Sequence, residues 1–557
     1  MSSFPLLTVT AAVPAVGAVV TAALPAATTD ARRRSAKAVA LVFASVTLAL
    51  AAVIAGRFDP GGARYQFTES YAWIKSFGMA FSLGVDGIGT VLVLLTAVLV
   101  PLVMLASWHD ADPESLPERS FGNRRRTQVF FALVLAVEAM VLVSFLATDV
   151  FLFYVFFEAM LIPMYFLIGG FGDRAGSDEA AGQRSYAAVK FLLYNLLGGL
   201  VMLAAVIGLY TLSARAGIGI GGDGSFDLAT LTRAIRDGKL SIDPATERAL
   251  FLGFFFAFAV KAPLWPLHTW LPGAMGETTA GTAALITAVV DKVGTFAMLR
   301  LCLGLFPDAS KFFAPAILVL AVIGIIYGAL LAVGQKDIKR LIAYASISHY
   351  GFIILGIFAM TTQGQSGATL YMISHGIATA ALMLVAGFLI SRRGSRLIAD
   401  YGGVQKIAPV LAGAFLVGGL ANLSLPGLAP FVSEFLVLVG TFTRYPTLGV
   451  VATFGIVLSA LYVLVLYQRT MTGPVKESVA PMADLRAREL LVVAPLVALL
   501  IGLGVYPKAV TDLVNPAVEA TLAEVHRMDP KPVHPAAGQR GGFSHSPIHE
   551  NAGGEGK

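Results

Sequence analysis

FLGFFFAFAVKAPLWPLHTWLP, residues 251–272, decides the fold. The stretch is apolar and long enough to cross a bilayer, which takes about 20 residues. It nevertheless carries a lysine, Lys261, followed by two prolines, Pro263 and Pro266. Proline lacks the amide donor and clashes with the preceding turn, so a helix has to break beside Lys261. At bilayer depth, unpaired backbone is tolerated only against protein or a water-filled cavity. The stretch therefore reads as a discontinuous membrane helix facing the inside of a bundle, with a cation at its break.

The rest of the chain fits that environment. Of its 557 residues, 57% are apolar and 13% charged, with a mean hydropathy of +0.77, which excludes a water-soluble globule. Apolar windows give about fourteen candidate spans, and backbone groups in lipid must pair internally, so the expected class is an all-α polytopic membrane protein. The start, MSSFPLLTVTAAVPAVGAVV, has no basic leading region and reads as the first span instead of a cleaved signal. The single cysteine, Cys302, excludes disulfides and cysteine-ligated clusters within the chain. Short loops on one side carry roughly four times as many Lys and Arg as those on the other, which places both termini in the periplasm.

A second interrupted stretch lies five spans further on. APVLAGAFLVGGLANLSLPGLAPFVSEFLVLVGTF, residues 408–442, is too long for one simple crossing and is broken by Pro426, Gly427 and Pro430. An offset of five reverses the chain direction, as inverted repeats require. The expected organisation is an N-terminal three-helix region (1–126), a first five-helix repeat (127–304), a second (305–470), a further span (471–510) and a C-terminal periplasmic extension (511–557). Each repeat contains one broken helix. Lys261 and Glu434 then occupy analogous places.

Ionisable residues inside spans are costly and mark function by default. Glu158 is the only charge in VFLFYVFFEAMLIPMYFLIG, residues 150–169, and needs a partner, for which Lys261 is suited. Lys292, His349 and His375 lie on spans between Lys261 and Glu434, and histidine suits proton exchange near neutral pH. Asp291 adjoins Lys292, but adjacent helical residues do not face each other, so it is only an accessory candidate, as are Glu138 and Lys190. Arg300, near a helix end, is expected to extend its head toward the interface.

Little chemistry is expected outside the membrane. Residues 212–248 include DLATLTRAIRDGKL, read as a short surface helix. The GIGIGG before it is rejected as a nucleotide loop, because no strand precedes it. The tail 528–557, rich in Pro, Gly and His, is expected to be disordered, and a metal role for His526, His534, His545 and His549 is disfavoured.

In combination, FYVFFEAMLIPMYFLI, AVKAPLWPLHTWLP, QKDIKRLIAYASISHYGF and LPGLAPFVSEF resemble the antiporter-like membrane subunits of complex I, the proton-pumping NADH:quinone oxidoreductase. The resemblance runs from residue 81 to about residue 470. It implies a subunit in the distal membrane arm, in a bacterial plasma membrane, with Glu158, Lys261, Lys292, His349, His375 and Glu434 matching the family's proton path. Related L and N chains carry lysine where Glu434 stands, which points to the glutamate-bearing M-type branch with L and N chains as partners. The resemblance implies no cofactor and no metal in this chain, with NADH, FMN, iron–sulfur clusters and quinone in other subunits. It implies contact with lipid and none with nucleic acid. Alternatives are a stand-alone cation/proton antiporter or a related membrane-bound hydrogenase. The family's usual WLPDAHxEAP is replaced here by TWLPGAMGETTAG, which lacks the Asp and His, so the polar end of that helix is expected to be built differently.

Overall fold

The computed structural model describes residues 4–26, 29–74, 77–112, 126–172, 178–219 and 222–530. Twelve helical segments among the described residues are long and apolar enough to cross a membrane, with Val150–Gly170 counted as one. The chain begins with α1 (Leu6–Ala23) and α2 (Asp30–Arg57), followed by an antiparallel hairpin, β1 (Gln66–Ile74) and β2 (Met79–Val85). It continues with α3 (Gly87–Ala106), α4 (Arg126–Leu146), α5 (Val150–Ala159), α6 (Leu161–Gly170), α7 (Asp178–Arg215) and α8 (Leu228–Arg236). Then come α9 (Pro244–Lys261), α10 (Leu271–Glu277) and α11 (Ala280–Leu305), which contains π-helical turns at Ile286–Val290 and Met298–Cys302. The remainder is α12 (Pro307–Val333), α13 (Ile338–Ala359), α14 (Thr362–Arg393), α15 (Pro409–Asn422), α16 (Ala429–Arg444), α17 (Pro446–Met471), α18 (Ala487–Val505) and α19 (Lys508–Glu524).

Side-chain caps set several of the helix starts. Asp149, Asp243, Asp337 and Thr361 each accept amide hydrogens from the first turn that follows them, satisfying donors that have no intrahelical partner. Asp86 does the same for α3 by accepting from the Gly89 amide at 2.8 Å. That cap places the start of the apolar span at Gly87, while residues 83–85 close the hairpin. β1 is mostly exposed and β2 passes from half-buried to buried at its end, next to the strongly apolar run of α3.

Burial separates inner helices from outer ones. The most apolar windows of α11, α13 and α14 are 100%, 94% and 89% buried, against 28% for α2 and α18 and 33% for α17. A helix apolar on every side belongs in a core or in lipid, and here the same composition serves both places. The stretch 251–272 runs from α9 through non-helical residues to the start of α10, and 408–442 is two shorter helices, α15 and α16, separated by non-helical residues.

The start of the C-terminal extension is ordered helix. α19 packs on α3 and α14, with Ser366 donating to Asn515 at 2.8 Å and the Thr362 amide donating to Asp529 at 2.8 Å. The part of the tail from residue 531 onward, with His534, His545 and His549, lies outside the described residues, as do Ile220 and Gly221 of GIGIGG. The expected surface helix is α8, capped by Asp227.

Candidate proton path

Lys261 is the last residue of α9 and is 1% exposed. Beyond it the backbone leaves helical geometry, and the groups this frees are re-paired. The Leu264 amide reaches the Ala259 carbonyl at 3.0 Å, and the Trp270 indole N–H donates to the Val260 carbonyl at 2.9 Å. The broken end is thus closed by a buried aromatic from the far side of the break. Lys261 Nζ donates to the Phe157 carbonyl at 2.7 Å and lies 3.7 Å from the centre of the Phe157 ring, a cation–π arrangement.

Glu158 follows Phe157 and interacts electrostatically with Lys261, as the sequence suggested, yet Lys261 takes the neighbouring carbonyl as its hydrogen-bond partner. Among the described residues, neither Glu158 carboxylate oxygen has a hydrogen-bond partner. Room for that carboxylate comes from a residue the sequence reading passed over. A Cβ on Gly199 of α7 would lie 1.9 Å from Glu158 Oε1, so any larger residue there has to displace the carboxylate. The signal was present in the Gly-Gly pair of LLGGL, but a glycine in an apolar helix does not say what approaches it.

The next group is Lys292, fully buried on α11. Its ammonium is 2.6 Å from His375 Nδ1 and 3.1 Å from the Tyr350 hydroxyl, over whose ring it also lies, 4.3 Å from the centre. The rings of His375 and His349 are 5.1 Å apart, centre to centre. His349 Nδ1 is 2.7 Å from the Tyr371 hydroxyl, which donates to Glu434 at 3.4 Å. Ser424, in the second break, also donates to Glu434. Along the chain the order is Lys292, His349, His375. In space the two histidines stand in the reverse order, with His375 beside Lys292.

Tyr350, Tyr371 and Ser424 were not among the sequence candidates. Each is a hydroxyl at a joint between titratable groups. Nothing in a single sequence marks which of 16 tyrosines is buried. Glu434 also borders a cavity of about 210 Å³, with Ser424, Pro426, Phe431, Phe435 and Ile456 in its walls.

The accessory candidates divide. Glu138 is fully buried in α4, and neither of its carboxylate oxygens has a hydrogen-bond partner among the described residues. Lys190 lies 5.7 Å from the centre of the Tyr194 ring, and the Tyr194 hydroxyl accepts a hydrogen bond from Thr269 at 2.8 Å. Lys190 therefore belongs to the outer side of the first break. Asp291 is buried beside Lys292. Arg300 does not extend to an interface: it is 6% exposed, pairs with Asp86 at 2.8 Å and lies against the rings of Tyr65 and Phe296. Its place near a helix end suggested exposure, but the hairpin segment that covers it was not foreseen.

TWLPGAMGETTAG forms α10 and the turn after it. Glu277 takes up Arg396 at 3.0 Å and Arg340 at 3.6 Å, while Lys339 donates to the Thr278 carbonyl at 2.7 Å. The polar end of the broken helix is thus made with Glu277 and cations from α13 and from the segment after α14. Among the described residues, no cluster of His, Cys, Asp and Glu has the arrangement of a metal site.

Such a fold defines a class: a polytopic helical membrane protein with a row of ionisable groups running between two broken helices. The chain belongs to the NADH:quinone oxidoreductase/Mrp antiporter membrane family, whose model matches residues 147–459. A relative from Mycobacterium tuberculosis, named NADH-quinone oxidoreductase subunit M, is 56% identical over 96% of this chain and 97% of its own length. Among solved structures, a chain of respiratory complex I from Thermus thermophilus with bound NADH is similar at 30% identity, with a TM-score of 0.80 over 93% of this chain and 99% of that one. A chain of the Mrp complex from Dietzia shares the fold at 21% identity, with a TM-score of 0.76 over 94% of this chain and 100% of that one.

Proposed function

We propose that this chain is a proton-translocating subunit of the membrane arm of an NADH:quinone oxidoreductase, in a bacterial plasma membrane with both termini periplasmic and related L and N chains as neighbours. The two broken helices and their flanking spans, 127–304 and 305–470, act as inverted halves of one pump. The chain itself supplies protein groups only, and redox cofactors belong to other subunits of the assembly. The observation that carries the reading is the run of contacts from Lys292 through His375, His349 and Tyr371 to Glu434.

Proton movement follows from those contacts. Electron transfer elsewhere alters the geometry at Glu158 and hence the charge on Lys261. Two unit charges at about 5 Å interact by roughly 3 kcal/mol at an effective dielectric constant near 20, enough to move a proton equilibrium by about two decades. A proton leaving Lys261 reaches Lys292, whose ammonium faces an imidazole nitrogen able to accept it. Each histidine has a second nitrogen, Nε2, with no partner, so either ring can hand a proton on by changing its bonded side. The Tyr371 hydroxyl accepts from one side and donates to Glu434 on the other.

Lys261→Ala in inverted membrane vesicles tests the reading. We expect NADH-driven proton uptake to fall by about tenfold or more, with membrane-bound NADH:ferricyanide activity reporting that the complex is assembled. Uptake at the parent rate and parent ratio to NADH oxidised would remove Lys261 from the path.

A further inference from the structure

The run of contacts begins at Lys292 and leaves a gap between it and Lys261. Asp291 is in that gap. It is fully buried on α11, and the ammonium groups of both lysines act on it electrostatically. A buried carboxylate is costly unless paired, and a residue that only fastens helices would have its oxygens hydrogen-bonded. Among the described residues, the Tyr350 hydroxyl is the one hydrogen-bonding side chain that reaches the Asp291 carboxylate, and no other donor holds its oxygens.

The local backbone and a neighbouring hydroxyl account for this state. The Asp291 amide bonds to the carbonyl of Ile286, five residues back, at 2.9 Å, so the residue closes a widened π turn. Such turns are rare and concentrate at functional positions. The Tyr350 hydroxyl lies beside the carboxylate, but its single proton goes to the Thr287 carbonyl at 2.6 Å, while its oxygen accepts from Lys292 at 3.1 Å. Rotation about the phenolic C–O bond would swing that proton from Thr287 to Asp291 without moving a heavy atom.

We propose that Asp291 is the counter-ion shared by Lys261 and Lys292 and the group through which a proton passes between them, with the Tyr350 hydroxyl as its adjustable hydrogen-bond donor. The step balances. The Lys261 ammonium gives a proton to the Asp291 carboxylate, leaving a neutral amine and a carboxylic acid. The acid then gives that proton to the neutral Lys292 amine, regenerating the carboxylate beside a new ammonium. The charge moves from one lysine to the other without two ammonium groups facing each other in the core. This inference rests on the proposed path and adds the member that joins its two lysines.

The test compares Asp291→Asn, Asp291→Ser and Asp291→Glu in vesicles bearing the intact complex, with Lys261→Ala and Lys292→Ala measured in parallel and ferricyanide activity reporting assembly. Asparagine keeps the volume but cannot carry the proton or the charge, so proton uptake should drop by about tenfold or more. Glutamate should restore a substantial part of it. A protonated-carboxyl infrared band that responds to NADH in the parent should be absent in Asp291→Asn, a signature that a packing role would not produce. Parent-level pumping by either assembled uncharged variant overturns the inference. If the lysine variants also pump normally, the path itself fails; if they lose pumping while the Asp291 variants keep it, only the role of Asp291 falls.

Discussion

The two broken helices solve the same problem with opposite chemistry. At the first, Lys261 is fully buried, held by the Phe157 carbonyl and ring, and the carboxylate that acts on it, Glu158, makes no hydrogen bond among the described residues. At the second, Glu434 is as deeply buried but is held by the hydroxyls of Ser424 and Tyr371, with a cavity alongside. A cation needs an acceptor and finds one in a carbonyl already present in a neighbouring helix. An anion needs donors, which buried helices have already used, so side-chain hydroxyls must supply them. The first break is therefore governed by the space left for an acid that no donor fixes, and the second by a set of hydroxyl donors. Gly199→Ala attacks the first directly. A methyl group 1.9 Å from Glu158 Oε1 must displace the carboxylate, and we expect NADH-driven pumping to fall by about tenfold or more. Gly198→Ala, whose Cβ would meet Ala257 Cα at 3.1 Å, should cost much less. Equal losses from the two would mean that helix packing, and not the position of Glu158, limits the first break.

Tyr371→Phe tests the second break. It removes one hydroxyl of about the same volume, leaving His349 Nδ1 and a Glu434 oxygen without their shared partner. Ser424 still donates to Glu434, so the carboxylate stays in place and assembly should be unaffected. Pumping should fall by roughly threefold to tenfold, the kinetic equivalent of a lost hydrogen bond worth about 1 kcal/mol. Tyr371→Phe pumping at the parent rate in the assembled complex would show that Glu434 is reached by another route.

Both breaks were legible in the sequence because proline and glycine act locally: Pro263 and Pro266 stop α9, and Pro426 and Gly427 separate α15 from α16. A charge in an apolar run is equally plain, so Glu158, Lys261, Lys292 and Glu434 could be singled out without coordinates. The joints between them could not. Tyr350 and Tyr371 look like any other membrane tyrosine, and their importance comes from α13 and α14 packing beside α11 and α16. The reversed order of His349 and His375 has the same origin, since sequence order along two neighbouring helices does not set which side chain points toward a third. Arg300 was misjudged because its partner, Asp86, caps a helix more than two hundred residues away.

The beginnings of the two broken helices differ as well, on a smaller scale. α9 is capped locally: Asp243 precedes Pro244 and accepts from the amides of Ala245 and Thr246. Before α15 stands Ala408, which has no capping side chain, and the carboxylate comes from Asp484 in the segment before α18, accepting from Val410 at 2.9 Å and Leu411 at 2.8 Å. Burial alone would raise the Asp484 carboxyl. The amides of Val410, Leu485 and Leu411, with the Arg392 guanidinium, outweigh it and hold the group below the ordinary carboxylate range. A depressed carboxyl contributes stability that is present above its unfolded value, about 3.9, and is lost as the pH falls through the folded one. Asp484→Asn should therefore lower the thermal stability of the detergent-solubilised assembly by about 1 kcal/mol near neutral pH, as loss of a charged cap does elsewhere. The difference from the parent should shrink as the pH is lowered below about 4. Asp243→Asn disturbs only a cap within its own turn, so it should leave the second break untouched. A pH-independent deficit for Asp484→Asn would mean that its shape, not its charge, ties the segment before α18 to the start of the second broken helix.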